Sequence, residues 1–243
     1  MHALIDFDWA SYAFGNATDD EYKPLAWPFV KSRIDGTINK IVEATGADTF
    51  QLYLTSADKS NFRFETATIV PYKGTRPTEK PFYYDRIRDY LVKRGAIVIY
   101  DREADDQVCI EQRIDMAGAT EDEYGTVICH VDKDIDICPG WHYNWMKPDD
   151  GVYWITEIEG LRKFYKQCLT GDSVDNILGL FGVGKKSKLV SALDDMDTEE
   201  EMFDHVLEQY TKRLGSYAGQ FLLENGRLLW MQRSADDIWE LPK

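Results

Sequence analysis

The sequence has few cysteines, few histidines and no excess of positive charge. Its four cysteines form no Cys-x-x-Cys pair, and neither they nor the four histidines show the spacing of zinc ligands. This argues against a disulfide-stabilised secreted fold, and it predicts that the thiols are small buried groups in a reducing compartment. We find no signal peptide and no apolar run long enough to span a bilayer, which predicts a cytoplasmic protein without a membrane partner.

Acidic residues outnumber basic ones by 43 to 28, which gives a net charge of −15. Such a charge argues against a nucleic-acid partner for the chain as a whole. The acids are unevenly spread, however, and several of them cluster in residues 194–204. Local basic segments would therefore have to bind any nucleic acid. The 243 residues suffice for one well-buried domain with a helical extension.

Three apolar segments that are typical of β-strands are each followed by acids. These segments are residues 3–5, 96–100 and 126–131, and the second is predicted to be the most clearly buried strand. The acids that follow them are Asp6, Glu103, Asp105, Asp106, Asp132 and Asp134. Helical patterns separate the strands, which predicts a mostly parallel sheet with these acids at one edge. A cleft of carboxylates without histidine or cysteine favours Mg²⁺ or Mn²⁺.

Residues 171–188 combine two carboxylates with glycines and lysines. Asp172 and Asp175 are three positions apart, so on a helical turn they would share a face and reach one cation; alternatively they are a helix cap and a surface charge. The glycines would leave backbone N–H groups facing outward before a helix predicted to begin near Lys185. The segment favours sequence-independent binding of a phosphate backbone, through Gly182, Gly184, Lys185, Lys186 and Lys188.

A second basic segment, residues 71–77, is bounded by prolines and carries an aromatic residue. It is either an ordinary solvated loop or a phosphate clamp with a stacking surface. The candidates here are Tyr72, Lys73 and Arg76, and Arg63 lies a short distance upstream. Residues 135–155 predict a hairpin packed beside the sheet.

Together these motifs resemble those of the 5′-nuclease family, which includes flap endonucleases, the 5′ exonuclease domains of bacterial DNA polymerases and phage enzymes. The resemblance rests on Gly171-Asp172-x-x-Asp175-Asn176-Ile177-x-Gly179-x-x-Gly182-Val183-Gly184-Lys185-Lys186. Glu103-Ala104-Asp105-Asp106 also matches the metal-binding motif of that family. The likeness extends from Asp6 to about Leu229.

The resemblance implies an α/β fold with a PIN-like, twisted and mostly parallel sheet flanked by helices, a helical arch and a C-terminal helix-turn-helix. It implies a catalytic core over residues 1–156, with the arch in 71–95, and a DNA-binding helical region over 157–243. The implied activity is two-metal hydrolysis of DNA phosphodiester bonds, as a 5′-3′ exonuclease or flap endonuclease. Implied substrates are DNA with 5′ ends, flaps or nicks and RNA–DNA hybrids, and implied partners are a replication polymerase or single-strand-binding protein.

The resemblance also assigns roles to individual residues. The first of two Mg²⁺ or Mn²⁺ ions would be held by Asp6, Glu103, Asp105, Asp106 and Asp132, and the second by Asp134, Asp172 and Asp175. Tyr72 would face a nucleobase, while Lys73 and Arg76 would contact the phosphate near the scissile bond. Arg63 and the glycine-lysine segment would bind DNA, with K⁺ as a further ion at the helix-turn-helix.

Departures from the family pattern lie near the expected metal site. Ser56 stands where an aspartate is usual, Phe7-Asp8 replaces a glycine-serine pair, and Val131 replaces a glycine. Two alternatives stay open: a PIN-type ribonuclease, which shares the acids but lacks the glycine-lysine loop, and a non-catalytic acidic protein that mimics nucleic acid or binds metal. The net charge favours the second of these.

Overall fold

A computed structural model describes residues 1–19, 23–58, 60–76, 78–117 and 125–243. These residues form six β-strands and nine α-helices. The strands are β1 His2–Asp6, β2 Thr49–Thr55, β3 Ile97–Ile99, β4 Thr126–His130, β5 Gly140–Asn144 and β6 Val152–Ile155. The helices are α1 Trp9–Ala13, α2 Trp27–Thr45, α3 Phe62–Thr66, α4 Tyr84–Lys93, α5 Ala104–Met116, α6 Glu157–Thr170, α7 Lys188–Ser191, α8 Glu199–Leu214 and α9 Ala218–Leu229.

The six strands form one sheet in the order β3-β2-β1-β4-β5-β6. Four of its pairings are parallel, namely β1 with β2, β1 with β4, β2 with β3 and β4 with β5. Asp6 lies opposite Tyr53 of β2, and Ile5 lies opposite Cys129 of β4, so these three strands end at the same edge. The predicted mostly parallel sheet with flanking helices is therefore confirmed.

Two predictions about strands were wrong. The strand at residues 97–99 is at the edge of the sheet, and Ile97 and Tyr100 are exposed, because this strand pairs on one side only, with β2. Residues 135–155 do not pack beside the sheet as a separate hairpin. Their strands β5 and β6 extend the sheet itself, β5 pairing parallel to β4.

By its internal contacts the chain divides into two compact units. Unit 1 comprises residues 1–58, 77–135 and 140–154, and unit 2 comprises residues 59–76, 136–139 and 155–243. The main segment of unit 2 begins close to the domain boundary expected after residue 156. Unit 2 also takes in the basic segment at residues 71–76, which the expected division placed in the catalytic core.

The core of unit 1 lies between the sheet and two helices. Ala3 and Ile5 point to one face of β1 and pack with Ile34 and Ile38 of α2 and with Leu91 of α4. Each isoleucine buried in this way contributes roughly 1.5–3 kcal/mol. Helix α5 contacts β1, β2 and β4 without contributing residues to this cluster. The sheet is thus held in register, and its carboxyl-terminal edge is fixed.

Unit 2 is mainly helical, and α6, α8 and α9 pack against one another. Thr198 forms the predicted capping box with Glu201, which begins α8 at Glu199. The chain after α9 returns along that helix, where Gly226 lies so close to the Trp239 ring that a Cβ atom would be 2.2 Å from it. Within the part of the chain that the structure describes, none of the helices has the length and apolar character needed to cross a membrane.

Candidate active site

Four carboxylates of unit 1 lie near one another where strands end. Asp6 ends β1, Asp132 follows β4 by two residues, and Glu103 precedes α5. Burial raises the pKa of Asp6 well above its usual value, and the negative charges of Asp8, Asp132 and Glu103 raise it further. We call Asp6, Asp8, Glu103 and Asp132 the acid cluster. Its members repel one another, since each charge disfavours ionisation of the next.

Asp8 is the member that the sequence analysis missed as a ligand candidate. Its backbone N–H donates to Asp6 Oδ1 at 3.2 Å, and its own Oδ1 accepts the N–H of Thr55 at 2.8 Å. Burial raises the pKa of Asp8, while hydrogen bonds from Thr55 and the charge of Arg88 act in the opposite direction. The Arg88 guanidinium lies 3.5 Å from this carboxylate. The sequence feature that could have identified Asp8 is its position two residues after Asp6, at the end of a predicted strand.

The start of α5 fixes the second segment of acids. Glu103 and Asp106 form a reciprocal capping box in which the Glu103 N–H donates to Asp106 Oδ2 at 3.2 Å. Asp106 is fully buried, and its N–H donates to Asp105 Oδ1 at 2.7 Å. The Ala104 N–H also donates to Thr55 Oγ1 at 2.9 Å, which ties the helix start to the end of β2. Two of the three predicted ligands here therefore also stabilise the helix terminus.

The turn after β4 orients Asp132 and Asp134. Asp132 Oδ1 accepts the Asp134 N–H at 2.9 Å, and the Asp132 carbonyl lies 2.6 Å from His130 Nδ1. Asp134 is buried and pairs with Lys133 at 2.8 Å. His142 is fully buried, and its Nδ1 lies 3.3 Å from His130 Nε2. The buried histidine pair thus supports the turn that carries Asp132.

The acid cluster fits a hard divalent cation. All four side chains offer carboxylate oxygens, which are the ligands that Mg²⁺, Mn²⁺ and Ca²⁺ prefer. Burial, and then the neighbouring negative charges, raise the pKa of Asp6. A bound cation would relieve this repulsion.

In unit 2, Asp175 lies among cationic and hydroxyl partners. Tyr72 donates its hydroxyl proton to Asp175 Oδ2 at 2.9 Å, Lys73 Nζ lies 3.8 Å from the same oxygen, and the Arg76 guanidinium donates to Oδ1. We call Tyr72, Lys73, Arg76 and Asp175 the Asp175 cluster. Two further hydrogen bonds join the same segments, because Asp175 O accepts the Lys73 backbone N–H at 2.9 Å and Pro71 O accepts from the Asn176 side-chain amide at 2.8 Å.

Two residues expected to contact DNA are buried in unit 2. The Tyr72 ring is only 5% exposed and packs edge-on against Phe64, so it offers no stacking surface in this structure. Arg63 is 1% exposed, and its guanidinium donates to the carbonyls of Leu228 and Trp230 at 3.0 and 2.7 Å. Since these hydrogen bonds satisfy it internally, Arg63 anchors α3 to the end of α9 and its expected contact with DNA is not supported.

The segment around Asp172 is not helical, contrary to expectation. Asp172 and Ile177 exchange backbone hydrogen bonds of 2.8 and 2.7 Å, which close a tight turn. Asp172 Oδ1 accepts the Val174 N–H at 2.7 Å, and this side-chain bond competes with helix formation. The i, i+3 argument for a shared helix face therefore fails.

The glycines of this region serve two different purposes. Gly171 and Gly179 pack backbone against backbone, and a Cβ atom on either would lie 2.2 Å from main-chain atoms of the other segment. At Gly182, which has φ +77°, and at Gly184, a Cβ atom would have no neighbour within 4 Å, so both residues face open space. Only the second pair leaves room for a ligand to approach the backbone.

Residues 182–188, the lysine loop, expose their cationic side chains, which are Lys185, Lys186 and Lys188. The helix expected near Lys185 begins only at Lys188, where Ser187 is the N-cap and accepts the Leu189 N–H. The Ser187 N–H donates to Gly184 O at 2.9 Å, so a turn precedes the helix. Helix α7 has four residues, and the binding argument therefore rests on the lysines and the open glycines.

No protein-family model and no curated protein matches the chain. Solved structures do match it over most of both chains. A bacteriophage T5 5′-exonuclease structure with bound zinc is 18% identical, covers 94% of this chain and 95% of its own, and has a TM-score of 0.53. A T5 protein co-crystallised with metal ions is 17% identical, with 91% and 96% coverage and a TM-score of 0.53.

A third match is a variant of the bacteriophage T5 flap endonuclease in a pseudo-enzyme–product complex with DNA and metal ions. It is 15% identical, covers 94% of this chain and 98% of its own, and has a TM-score of 0.52. At these identities the likeness shows the fold alone. The chain has the fold of the T5 5′-exonuclease, and the predicted fold class is confirmed.

Proposed function

We propose that this protein is a metal-dependent nuclease that hydrolyses phosphodiester bonds of DNA at 5′ ends, flaps or nicks. The observation that carries the proposal is the acid cluster at the carboxyl-terminal edge of the sheet, in which burial and then the charges of Asp8, Asp132 and Glu103 raise the pKa of Asp6. Active sites of open parallel sheets lie at this edge. The same fold occurs in a phage flap endonuclease whose structure contains DNA and metal ions.

The proposed metal is Mg²⁺ or Mn²⁺, because all the candidate ligands are carboxylates. Asp6, Asp8, Glu103 and Asp132 would hold it, while Asp105, Asp106 and Asp134 lie next to these ligands in sequence. A divalent cation supplies positive charge at a phosphodiester and lowers the pKa of an attacking water. Participation of a second ion and of Asp172 remains a proposal from the resemblance.

Lys73 and Arg76 are proposed to bind the phosphate that is cleaved. Lys73 and Arg76 both contact the Asp175 carboxylate, which brings two cationic side chains together where a phosphate could bind. Asp175 would hold both side chains in place before substrate binds, which reduces the entropy lost on binding. Tyr72 supports this arrangement through its hydrogen bond to Asp175.

The lysine loop is proposed to bind the phosphate backbone of the duplex without reading its sequence. Its support is the exposure of Lys185, Lys186 and Lys188 beside the open backbone at Gly182 and Gly184. Point charges on flexible side chains position DNA without recognising bases. K⁺ in this region, use of RNA–DNA hybrids, and cooperation with a replication polymerase or single-strand-binding protein are further proposals from the resemblance.

The test uses end-labelled duplexes that carry a 5′ flap, a nick or an RNA primer. Each is incubated with Mg²⁺, with Mn²⁺ or with a chelator, and product lengths are read on a gel. We expect metal-dependent products cut from the 5′ end, and the lengths distinguish stepwise exonuclease action from release of whole flaps. Single-stranded RNA in the same assay tests the PIN-type ribonuclease alternative.

Failure to cleave any of these substrates with either metal contradicts the proposed function. Metal binding without cleavage would instead favour the non-catalytic acidic protein. Asp149→Asn is a matched control, because Asp149 is an exposed acid of unit 1 outside the acid cluster. This variant should cleave like the wild type, which separates a loss of general charge from a loss of a ligand.

A further inference from the structure

Three apolar side chains are exposed in the loop that leads to the lysines. Phe181 is 92% exposed, Val174 is 62% exposed and Leu178 is 51% exposed. Burying a phenylalanine ring stabilises a folded protein, a gain that Phe181 does not realise within this chain. Among the exposed large apolar side chains of the described residues, Phe181 has the largest exposed fraction.

The loop that presents Phe181 is nevertheless firmly held. Ile177, Leu180 and Val183 of the same loop are buried, so every third residue anchors the backbone while Phe181 faces outward. The Leu180 N–H donates to Leu169 O at 2.9 Å, and the Val183 N–H donates to Leu180 O at 3.0 Å. Phe181 is therefore displayed by an anchored support, and its exposure does not follow from a loosely attached loop.

The surroundings of Phe181 indicate the chemistry of its partner. Gly182 follows directly, and Lys185 and Lys186 are exposed four and five residues later, in a chain whose net charge is −15. A partner that satisfies both features must combine negative charge with flat apolar surface. Nucleic acid does so, because phosphates pair with lysines and every base has a face on which an aromatic ring can stack.

We propose that Phe181 inserts into the nucleic-acid substrate and stacks on a base, while Lys185 and Lys186 bind the phosphates beside it. This inference rests on the proposed function and adds a base contact to backbone binding that is otherwise electrostatic. In a duplex the ring acts as a wedge that partly unstacks one base step, which bends the DNA. Stacking tolerates any base, so the contact remains independent of sequence.

The test measures binding of labelled duplex by fluorescence anisotropy with a chelator present, so that no cleavage occurs. Phe181→Ala should weaken binding roughly 5- to 100-fold, as expected for loss of one stacked base. Phe181→Trp should restore affinity, whereas Phe181→Leu, which is apolar but cannot stack, should not. Phe29→Ala is the matched control, since Phe29 is 65% exposed in unit 1 and should bind like the wild type.

Two further measurements separate stacking from charge. Phe181→Ala should leave the salt dependence of binding unchanged, because no phosphate contact is lost. An abasic site moved along the duplex should weaken wild-type binding at one position and leave the Phe181→Ala variant unaffected there. Melting temperatures should match the wild type, since the altered side chain is exposed.

Wild-type affinity in the Phe181→Ala variant overturns the inference, and so does full affinity in Phe181→Leu. Binding to anionic lipid vesicles that depends on Phe181, together with unchanged DNA affinity, would assign the loop to a membrane surface and also overturn it. If the wild type cleaves DNA with Mg²⁺ while Phe181 proves unimportant, only this inference fails. If the wild type neither binds nor cleaves DNA, the proposed function fails first.

Discussion

Asp6 in unit 1 and Asp175 in unit 2 have opposite electrostatic surroundings. In unit 1, Asp6 is buried beside the negative charges of Asp8 and Glu103, and burial and then these charges raise its pKa. In unit 2, Asp175 is surrounded by Lys73 and Arg76, which compensate its charge. The difference teaches that an acidic motif residue alone does not define a metal ligand. Several carboxylates close together repel one another, whereas a single carboxylate between two cationic side chains holds those side chains in place.

The largest expected effect comes from removing a ligand of the acid cluster. Asp132→Asn should lower the rate of Mg²⁺-dependent cleavage by at least about 100-fold, because it removes a charged ligand that lies near Asp6. DNA binding should be nearly unchanged, since Asp132 is not part of the lysine loop. Cleavage is measured on the 5′-flap substrate and binding by anisotropy. Loss of binding with retained cleavage would reverse the assignment of the two units.

The pH dependence of stability gives a second test of unit 1. A carboxyl group whose pKa is raised in the folded state binds protons more tightly there than in the unfolded chain. Its contribution to stability is present at low pH and is lost as pH rises through the folded-state pKa. Metal-free protein should therefore lose stability as pH rises through the folded-state pKa of Asp6, and Asp6→Asn should flatten the curve and raise the free energy of unfolding at neutral pH.

Added Mg²⁺ should reverse this loss in the wild type. A metal at a hundredfold excess over its Kd stabilises the folded state by about 2.7 kcal/mol. Thermal melts of wild type and Asp6→Asn, each with Mg²⁺ and with chelator, measure both effects. A wild-type melting temperature that is insensitive to Mg²⁺ at neutral pH would argue against a metal site at the acid cluster.

The third prediction concerns the cations of unit 2. Replacing Lys185 and Lys186 with alanine should weaken DNA binding about tenfold at moderate salt and reduce the magnitude of the salt slope by about 2. The effect should be uniform across sequences, because the lysines contact phosphates. Lys212→Ala is a control, since Lys212 lies on α8 and pairs with Glu208. An unchanged salt slope would remove the lysine loop from the DNA interface.

The smallest expected effect is on the Asp175 cluster. Asp175→Asn weakens two ion pairs and should lower the stability of the protein by about 1 kcal/mol, as the pairs are partly exposed. This change has the opposite sign to that of Asp6→Asn in metal-free protein. Chemical denaturation of both variants measures it. If both substitutions stabilise the protein, the contrast between the two clusters is wrong.

Some features of the fold were predictable because they depend only on residues that are close together in the sequence. The 3.6-residue spacing of apolar side chains in residues 29–42 predicts a helix, which the structure shows as α2, and Gly46 with φ +62° ends it as a C-cap. Thr198 followed by Glu201 predicted the start of α8. Acids after apolar strands predicted that Asp6, Glu103 and Asp132 would meet, since parallel strands end at a common edge.

Other features depend on contacts between distant segments, which no local pattern contains. Burial of Arg63 follows from carbonyls supplied more than 160 residues later. Residues 97–99 lie at the sheet edge because of the strand order. A short hydrophobic segment has the same sequence pattern in an edge strand and in a central strand, so the pattern could not distinguish the two positions. The turn at Asp172 replaces a helix because its side chain bonds the Val174 N–H.

The sequence by itself determined the helices with strong periodicity and caps, the strand edges that carry acids, and the chemical type of each candidate ligand. Only the tertiary structure decided which charges are compensated. Asp8 lies near Glu103, and Asp175 pairs with Arg76, because the fold brings together segments that are far apart in the sequence. The physical reason is that the pKa of a carboxylate depends on its burial and on charges within a few ångströms, and the tertiary fold determines both.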